Sequence, residues 1–311
     1  MDGYIVLGSA IIGLLVGLTG AGGGALMTPM LILLFNVKPY SAISSDLVAA
    51  FVMRPVGAAV HLHRGTVNMR LVGWMALGSV PAAFFGAYLL HLLGHSTSAA
   101  TKLEHALGVA LLLGAAATGV RYVLDRRLGQ TRQGSVLTVR ARPLATVAIG
   151  VTGGFVVGMT SVGGGSLMIV LLLFAYPTLA ASRLVGTDLM QAIPLTASAA
   201  LGALAFGHVD LPITGAIIVG SVPAVLVGSL LSSRAPERYL RPVIALVIFV
   251  SGLKYVGVPT RALGFTVAIG GAAVAVALVA QARPWRRPAA IELLEPADDL
   301  GGVLVAERSQ A

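Results

Sequence analysis

The sequence predicts an all-α polytopic membrane protein built from two inverted repeats. Each repeat is a glycine-broken, re-entrant helix pair followed by three spanning helices, and one extra helix follows at the C-terminal side. Three observations lead there. Apolar runs recur at the length a helix needs to cross a bilayer, and they do not alternate as strands would. A glycine-rich interruption in the first of these runs returns 141 residues later. Arginines gather in some loops and avoid others.

The chain has 311 residues, 57% hydrophobic and 11% charged, with a mean hydropathy of +0.91. A soluble domain carries about 25% charged residues, so lipid is the solvent for most of this chain. The absence of cysteine excludes disulfides, thiol catalysis and Cys-ligated metals. The net charge of +9 reads as loop arginines that set orientation, not as a nucleic-acid footprint. The opening "MDGYIVLGSA" has no basic residue before its apolar run and does not read as a signal peptide.

Apolar segments fall at about 4–18, 25–35, 41–62, 70–93, 102–123, 143–157, 166–176, 183–206, 211–232, 240–256 and 262–280. The first pair is split by "GLTGAGGGALMTP" at 17–29, and the 143–157/166–176 pair by "GMTSVGGGSLMIV" at 158–170. Thr19 matches Thr160, and Gly22–Gly24 match Gly163–Gly165. At an offset of 142, "SDL" at 45–47 matches "TDL" at 187–189, and "GSVPA" at 78–82 returns at 220–224. The organisation follows: a first repeat over 1–124, a basic cytoplasmic linker over 125–142, a second repeat over 143–256, an added transmembrane helix over 257–282 and a cytoplasmic tail over 283–311.

Loop charge orients the repeats. Arg64 and Arg70, the five linker arginines from Arg126 to Arg142, Arg234 to Arg241, and Arg283 to Arg287 all belong on the cytoplasmic side. Only a segment pair that enters and turns back at its glycines puts every one of them there. Three spanning helices then remain per half, an odd number, so the halves are inverted. A kinked span is the alternative, because 4–18 is long for a half-membrane element.

Glycine lets the chain turn tightly. A backbone break at membrane depth needs protein or a wet cavity around it. The helices restarting near Ala25 and Ser166 present free N–H groups and a positive dipole end, so two facing restarts make an anion site. The candidate substrate-binding residues are Thr19, Gly20, Gly22, Gly23, Gly24, Thr160, Ser161, Gly163, Gly164, Gly165 and Ser166, with Thr28 as a further hydroxyl. The bland reading is that these glycines only let helices pack closely.

Ionisable residues within spans are informative. Asp46 and Asp188 hold equivalent repeat positions and could carry a coupling proton or simply open a helix. Arg54, beside Pro55, could attract an anion, pair with Asp46 or snorkel outward. Gln191 lies one turn after Asp188 and supplies pocket polarity. His61 and His63 sit at a helix end without a third ligand in reach, so no metal or cofactor is expected. His91, His95 and His208 are boundary residues.

"GLTGAGGG" with "LMTP", "GMTSVGGG" with "LM", "VGTDLMQAIPLT" at 185–196 and "GSVPAVLVGS" within 207–229 resemble the TauE/SafE family over about residues 5–256. The resemblance implies a bacterial inner-membrane, multi-pass transporter of sulfur-containing anions such as sulfite or organosulfonates. The chain departs from the family at Asp46, where a small hydroxyl residue is expected, and in the helix and tail beyond about 260. The reading is a secondary transporter of small anions, with the bilayer, the anion and a second copy of the chain as partners. It is not an enzyme, since no nucleophile–base pair or metal cluster lies at membrane depth. A channel or a helper subunit is the alternative.

Overall fold

A computed structural model describes residues 2–19, 23–63, 65–94, 97–128, 141–162, 165, 167–176, 179, 181–231 and 237–282. These form α1 (Asp2–Thr19), α2 (Gly24–Leu33), α3 (Pro39–His63), α4 (Met69–Gly94), α5 (Thr97–Leu128), α6 (Pro143–Thr160), α7 (Leu167–Ala175), α8 (Ala181–Phe206), α9 (Leu211–Leu231), α10 (Glu237–Tyr255) and α11 (Thr260–Ala282). Every apolar segment of the sequence became one helix. The core of the linker, the Arg234 loop, Arg64 and the acidic tail lie outside the described residues.

Six helices, α3, α4, α5, α6, α8 and α9, contain stretches long and apolar enough to cross a membrane, and α1, α2 and α10 contain shorter apolar ones. Large side chains such as Leu77, Phe85, Leu230 and Ile269 are exposed on the outer surface, as expected of a face that lipid covers. Proline interrupts α2, α3, α4, α8, α9 and α10 from within. Membrane helices tolerate this because neighbouring groups satisfy the carbonyl that proline frees.

The chain turns back at both glycine stretches. In the second, Arg142 N–H donates to the Tyr176 hydroxyl at 2.8 Å, and that hydroxyl also bonds Thr146, so the end of α7 returns to the start of α6. In the first, Gly8 lies against Met30 and Phe35, so the end of α2 returns towards the start of α1. α6 begins on Pro143 at its first turn, where the missing N–H costs nothing. It ends at Ser161, which adopts a left-handed φ of 59°.

Each hairpin packs on the opposite half. α1 runs parallel to α9: Val6 lies against Gly220, and Leu14 and Gly17 against Gly228. α6 runs parallel to α4: Met75 lies against Gly150, Ser79 against Gly154 and Ala83 against Gly158. At Gly17 and Gly158 a Cβ would strike the backbone carbonyls of Val225 and Ala83. Glycine at these two equivalent positions therefore sets the helix separation. Two apolar clusters result, one around α1, α2, α9 and α10, the other around α4, α6, α7 and α8, with α3 contributing to both.

α3 and α8 cross between the clusters in opposite directions. At one end the Tyr40 hydroxyl donates to Phe206 O at 2.8 Å, and Asp210 N–H donates to Ser45 Oγ at 3.1 Å. At the other end Asn68 N–H donates to Thr187 Oγ1 at 3.1 Å. Asn68 and Asp210 are also helix caps: Leu71 N–H donates to Asn68 Oδ1 at 3.3 Å and Ile213 N–H to Asp210 Oδ1 at 3.1 Å. Ser45 and Thr187 are repeat equivalents, and so are Asn68 and Asp210. The same bonds are thus made twice, with the halves exchanged.

Candidate functional site

The two glycine breaks meet. Gly24, the first residue of α2, sits so tightly against the Ser161 carbonyl that a Cβ there would collide with it. Gly23 caps α2 through its carbonyl, which accepts from Leu26 N–H at 3.1 Å and Met27 N–H at 2.9 Å, and no side chain caps the helix. Every residue of α2 from Gly24 to Leu31 is buried. Two hairpin tips from different halves therefore share one buried junction.

Asp46 opens onto that junction from the second turn of α3. It is fully buried, and its Oδ2 accepts a 2.7 Å hydrogen bond from Thr28 Oγ1 of α2. The Ser161 side chain also interacts with the carboxylate. Arg54, two turns further along α3, is only 8% exposed and therefore does not snorkel to a surface. Its charge interacts electrostatically with Asp188 on α8 and, less strongly, with Asp46 on its own helix. Asp188 and Gln191 are fully buried. Gln191 Nε2 donates to Ser79 Oγ of α4 at 2.6 Å, while its Oε1 has no hydrogen-bond partner among the described residues.

The structure thus brings Gly23, Gly24, Thr28, Asp46, Ser161, Arg54 and Asp188 into one interior region. It uses the two threonines of the repeat motif differently. The Thr19 hydroxyl donates to Leu15 O at 2.7 Å and the Thr160 hydroxyl to Val156 O at 2.6 Å, each back onto its own helix. Thr160 Oγ1 also accepts from Val162 N–H at 3.2 Å, bracing the turn. Gly165 is buried in the second break. Gly20, Gly22, Gly163, Gly164 and Ser166 lie outside the described residues.

Sequence reasoning passed over Ser79, Ser45, Thr187, Asn68, Asp210 and Tyr40 as contributors. For all but Tyr40 a signal was present in the repeat. Ser79 lies in "GSVPA", Ser45 and Thr187 precede the two aspartates in "SDL" and "TDL", and Asn68 and Asp210 stand 142 residues apart. Of the histidines, His63 is exposed and His91 Nδ1 lies 3.1 Å from the Tyr40 hydroxyl. Among the described residues no three His, Asp or Glu side chains converge as a metal site would need.

Comparison with known proteins fits this architecture. The chain is 39% identical over 257 residues to the probable membrane transporter protein YjnA of Bacillus subtilis (strain 168), covering 82% of this chain and 100% of that one. It is 27% identical to the probable membrane transporter protein YdhB of the same organism, over 80% of this chain and 98% of the relative. A probable membrane transporter protein of Xylella fastidiosa (strain Temecula1 / ATCC 700964) is 28% identical over 78% of this chain and 91% of its own length. No solved structure matches. A family model described as "Sulfite exporter TauE/SafE" matches residues 5–255, nearly all of the helical region, and the chain belongs to that family of membrane transporters.

Proposed function

We propose that this membrane transporter is a secondary transporter of small anions, of the sulfite and organosulfonate class, working by alternating access between two inverted repeats. The observation that carries the reading is the meeting of the two glycine breaks, Gly24 against Ser161, beside a buried cluster of polar side chains. Helix starts that present N–H groups inside a membrane suit an anion better than any neutral solute. The substrate class itself comes from the family description.

The inversion rests on helix direction. Equivalent helices α3 and α8 run antiparallel, and the equivalent pairs α1–α9 and α6–α4 each run parallel. Two halves related by an axis in the membrane plane produce that pattern. On this reading the hairpins are re-entrant, the 125–142 linker and the C-terminus are cytoplasmic, and the protein lies in the bacterial inner membrane. Alternating access then tilts one hairpin-bearing cluster against the other around the fixed junction.

The test is counterflow in proteoliposomes with sulfite, sulfate, sulfoacetate, thiosulfate and lactate. The reading expects saturable exchange of at least one sulfur oxyanion. Failure to move any anion sinks it, and unsaturable conductance would make the protein a channel.

A further inference from the structure

The charged cluster at the junction has two acidic members and one basic one. Asp46 and Asp188 are equivalent by repeat, yet their surroundings differ. Asp46 is bonded by Thr28, whose repeat equivalent is Ile169, a residue that cannot donate. Arg54 corresponds to Thr196, whose hydroxyl is spent on Ala192 O at 2.7 Å. The repeat is therefore broken where charge is handled, and the Thr28 hydroxyl and Arg54 both come from the first half.

An anion approaching the hairpin tips meets this cluster. With both carboxylates ionised and Arg54 charged, the cluster is net negative and repels it, and the turn residues 20–23 and 161–166 bring no charge. One proton on a carboxylate makes the cluster neutral. A buried group set with net charge is costly, so the proton and the anion favour each other's presence.

Geometry selects which carboxylate takes it. Asp46 accepts from Thr28 on the first hairpin, and that hairpin's Gly24 lies against Ser161 at the tip of the second. Arg54 interacts with both carboxylates, more strongly with Asp188 on α8 than with Asp46 on its own helix. The other elements packed on α3 bring few charges. α2 and α6 have no titratable residue within them, α9 is capped by Asp210, whose N–H bonds Ser45 beside Asp46, α4 carries Arg70, Tyr88 and His91, and α8 adds Arg183 near its start. α5 keeps Lys102, Glu104 and His105 near its start and Arg121, Asp125, Arg126 and Arg127 near its end.

Building on the anion-transport reading, we propose that Asp46 is the proton-carrying group of an anion–proton symporter, while Arg54 and Asp188 form its fixed, charge-balanced pair. Asp46 takes a proton from water on the side where the anion enters and gives it to water on the other side; only that O–H bond forms and breaks. The proton has a place on Asp46 Oδ1, which is buried without a hydrogen-bond partner among the described residues, while Oδ2 keeps accepting from Thr28 of the first hairpin. For a monovalent anion the cycle is electroneutral.

The experiment loads proteoliposomes with a trapped pH dye and imposes an anion gradient using the substrate found by counterflow. The wild type is expected to move about one proton with each monovalent anion, and Asp46→Asn to move none. Thr28→Val removes a hydrogen bond to the charged carboxylate, so the pH of half-maximal transport should rise by roughly one unit, whereas Thr196→Val should leave it in place. Anion movement without protons in the wild type overturns the proposal and leaves the anion reading intact. So does proton movement at the wild-type ratio in Asp46→Asn, or an unshifted profile in Thr28→Val. A wild type that moves no anion overturns both.

Discussion

The two halves of this molecule match in their packing and differ in their charge. α1 on α9 repeats as α6 on α4, Ser45 with Asp210 repeats as Thr187 with Asn68, and Gly17 repeats as Gly158. At the junction the likeness stops: Thr28 stands where the other half has Ile169, Arg54 where it has Thr196, and Gln191 where the first half has Ala49. In the proposed transport cycle, duplicated backbone geometry supplies the two interchangeable arrangements that alternating access needs. Unequal charge then lets the two arrangements respond differently to one ligand.

The largest way to break this comparison is Arg54→Gln. It removes the cation that interacts with both buried carboxylates and should cost on the order of 3–5 kcal/mol, read as lost thermal stability in detergent and lost transport. The equivalent change, Thr196→Ala, should cost about 1 kcal/mol. Adding Asp46→Asn to Arg54→Gln should restore part of the stability. Equal losses at 54 and 196 would mean that charge asymmetry has no role.

Gly24→Ala comes next, at about 3 kcal/mol, because a Cβ there meets the Ser161 backbone and no flexible side chain can yield. Gly57→Ala, in α3 with open space around it, should be neutral or stabilising by about 0.5–1 kcal/mol. Unfolding midpoints of the two variants check this contrast.

Symmetry itself is tested by Gly17→Ala and Gly158→Ala, which should destabilise to a similar degree, about 1–3 kcal/mol each. The smallest pair is Asn68→Ala and Asp210→Ala. Each loses a helix cap worth about 1 kcal/mol, measured as matched shifts in melting temperature. Unequal results within either pair would show that the repeat is a sequence relic without mechanical equivalence.

Much of this was legible in the chain. Helix positions followed from apolar run length, because the bilayer leaves so few choices for backbone hydrogen bonding. The turn at each glycine stretch followed from where the arginines sit, and the return of Tyr176 to Arg142 agrees with it. Which glycines serve packing and which serve the junction was not legible. Gly17 and Gly24 belong to one motif, yet one faces α9 and the other faces Ser161, a distinction that only the fold of the opposite half creates. The fate of Thr19 and Thr160 was hidden for a similar reason, since a hydroxyl within a helix can bond its own i−4 carbonyl or reach outward. Arg54 looked able to snorkel until α3 proved to lie between the two apolar clusters.

In the proposed function the two hairpin tips form one anion cradle reached alternately from each side. The chain has no cysteine, so single probes introduced as Ala21→Cys and Val162→Cys can be labelled cleanly by membrane-impermeant thiol reagents in vesicles of known orientation. Labelling from opposite faces of the membrane is expected, with the same transported anion slowing both reactions. Labelling from one common face, or rates at both sites that the anion leaves unchanged, would contradict the proposal.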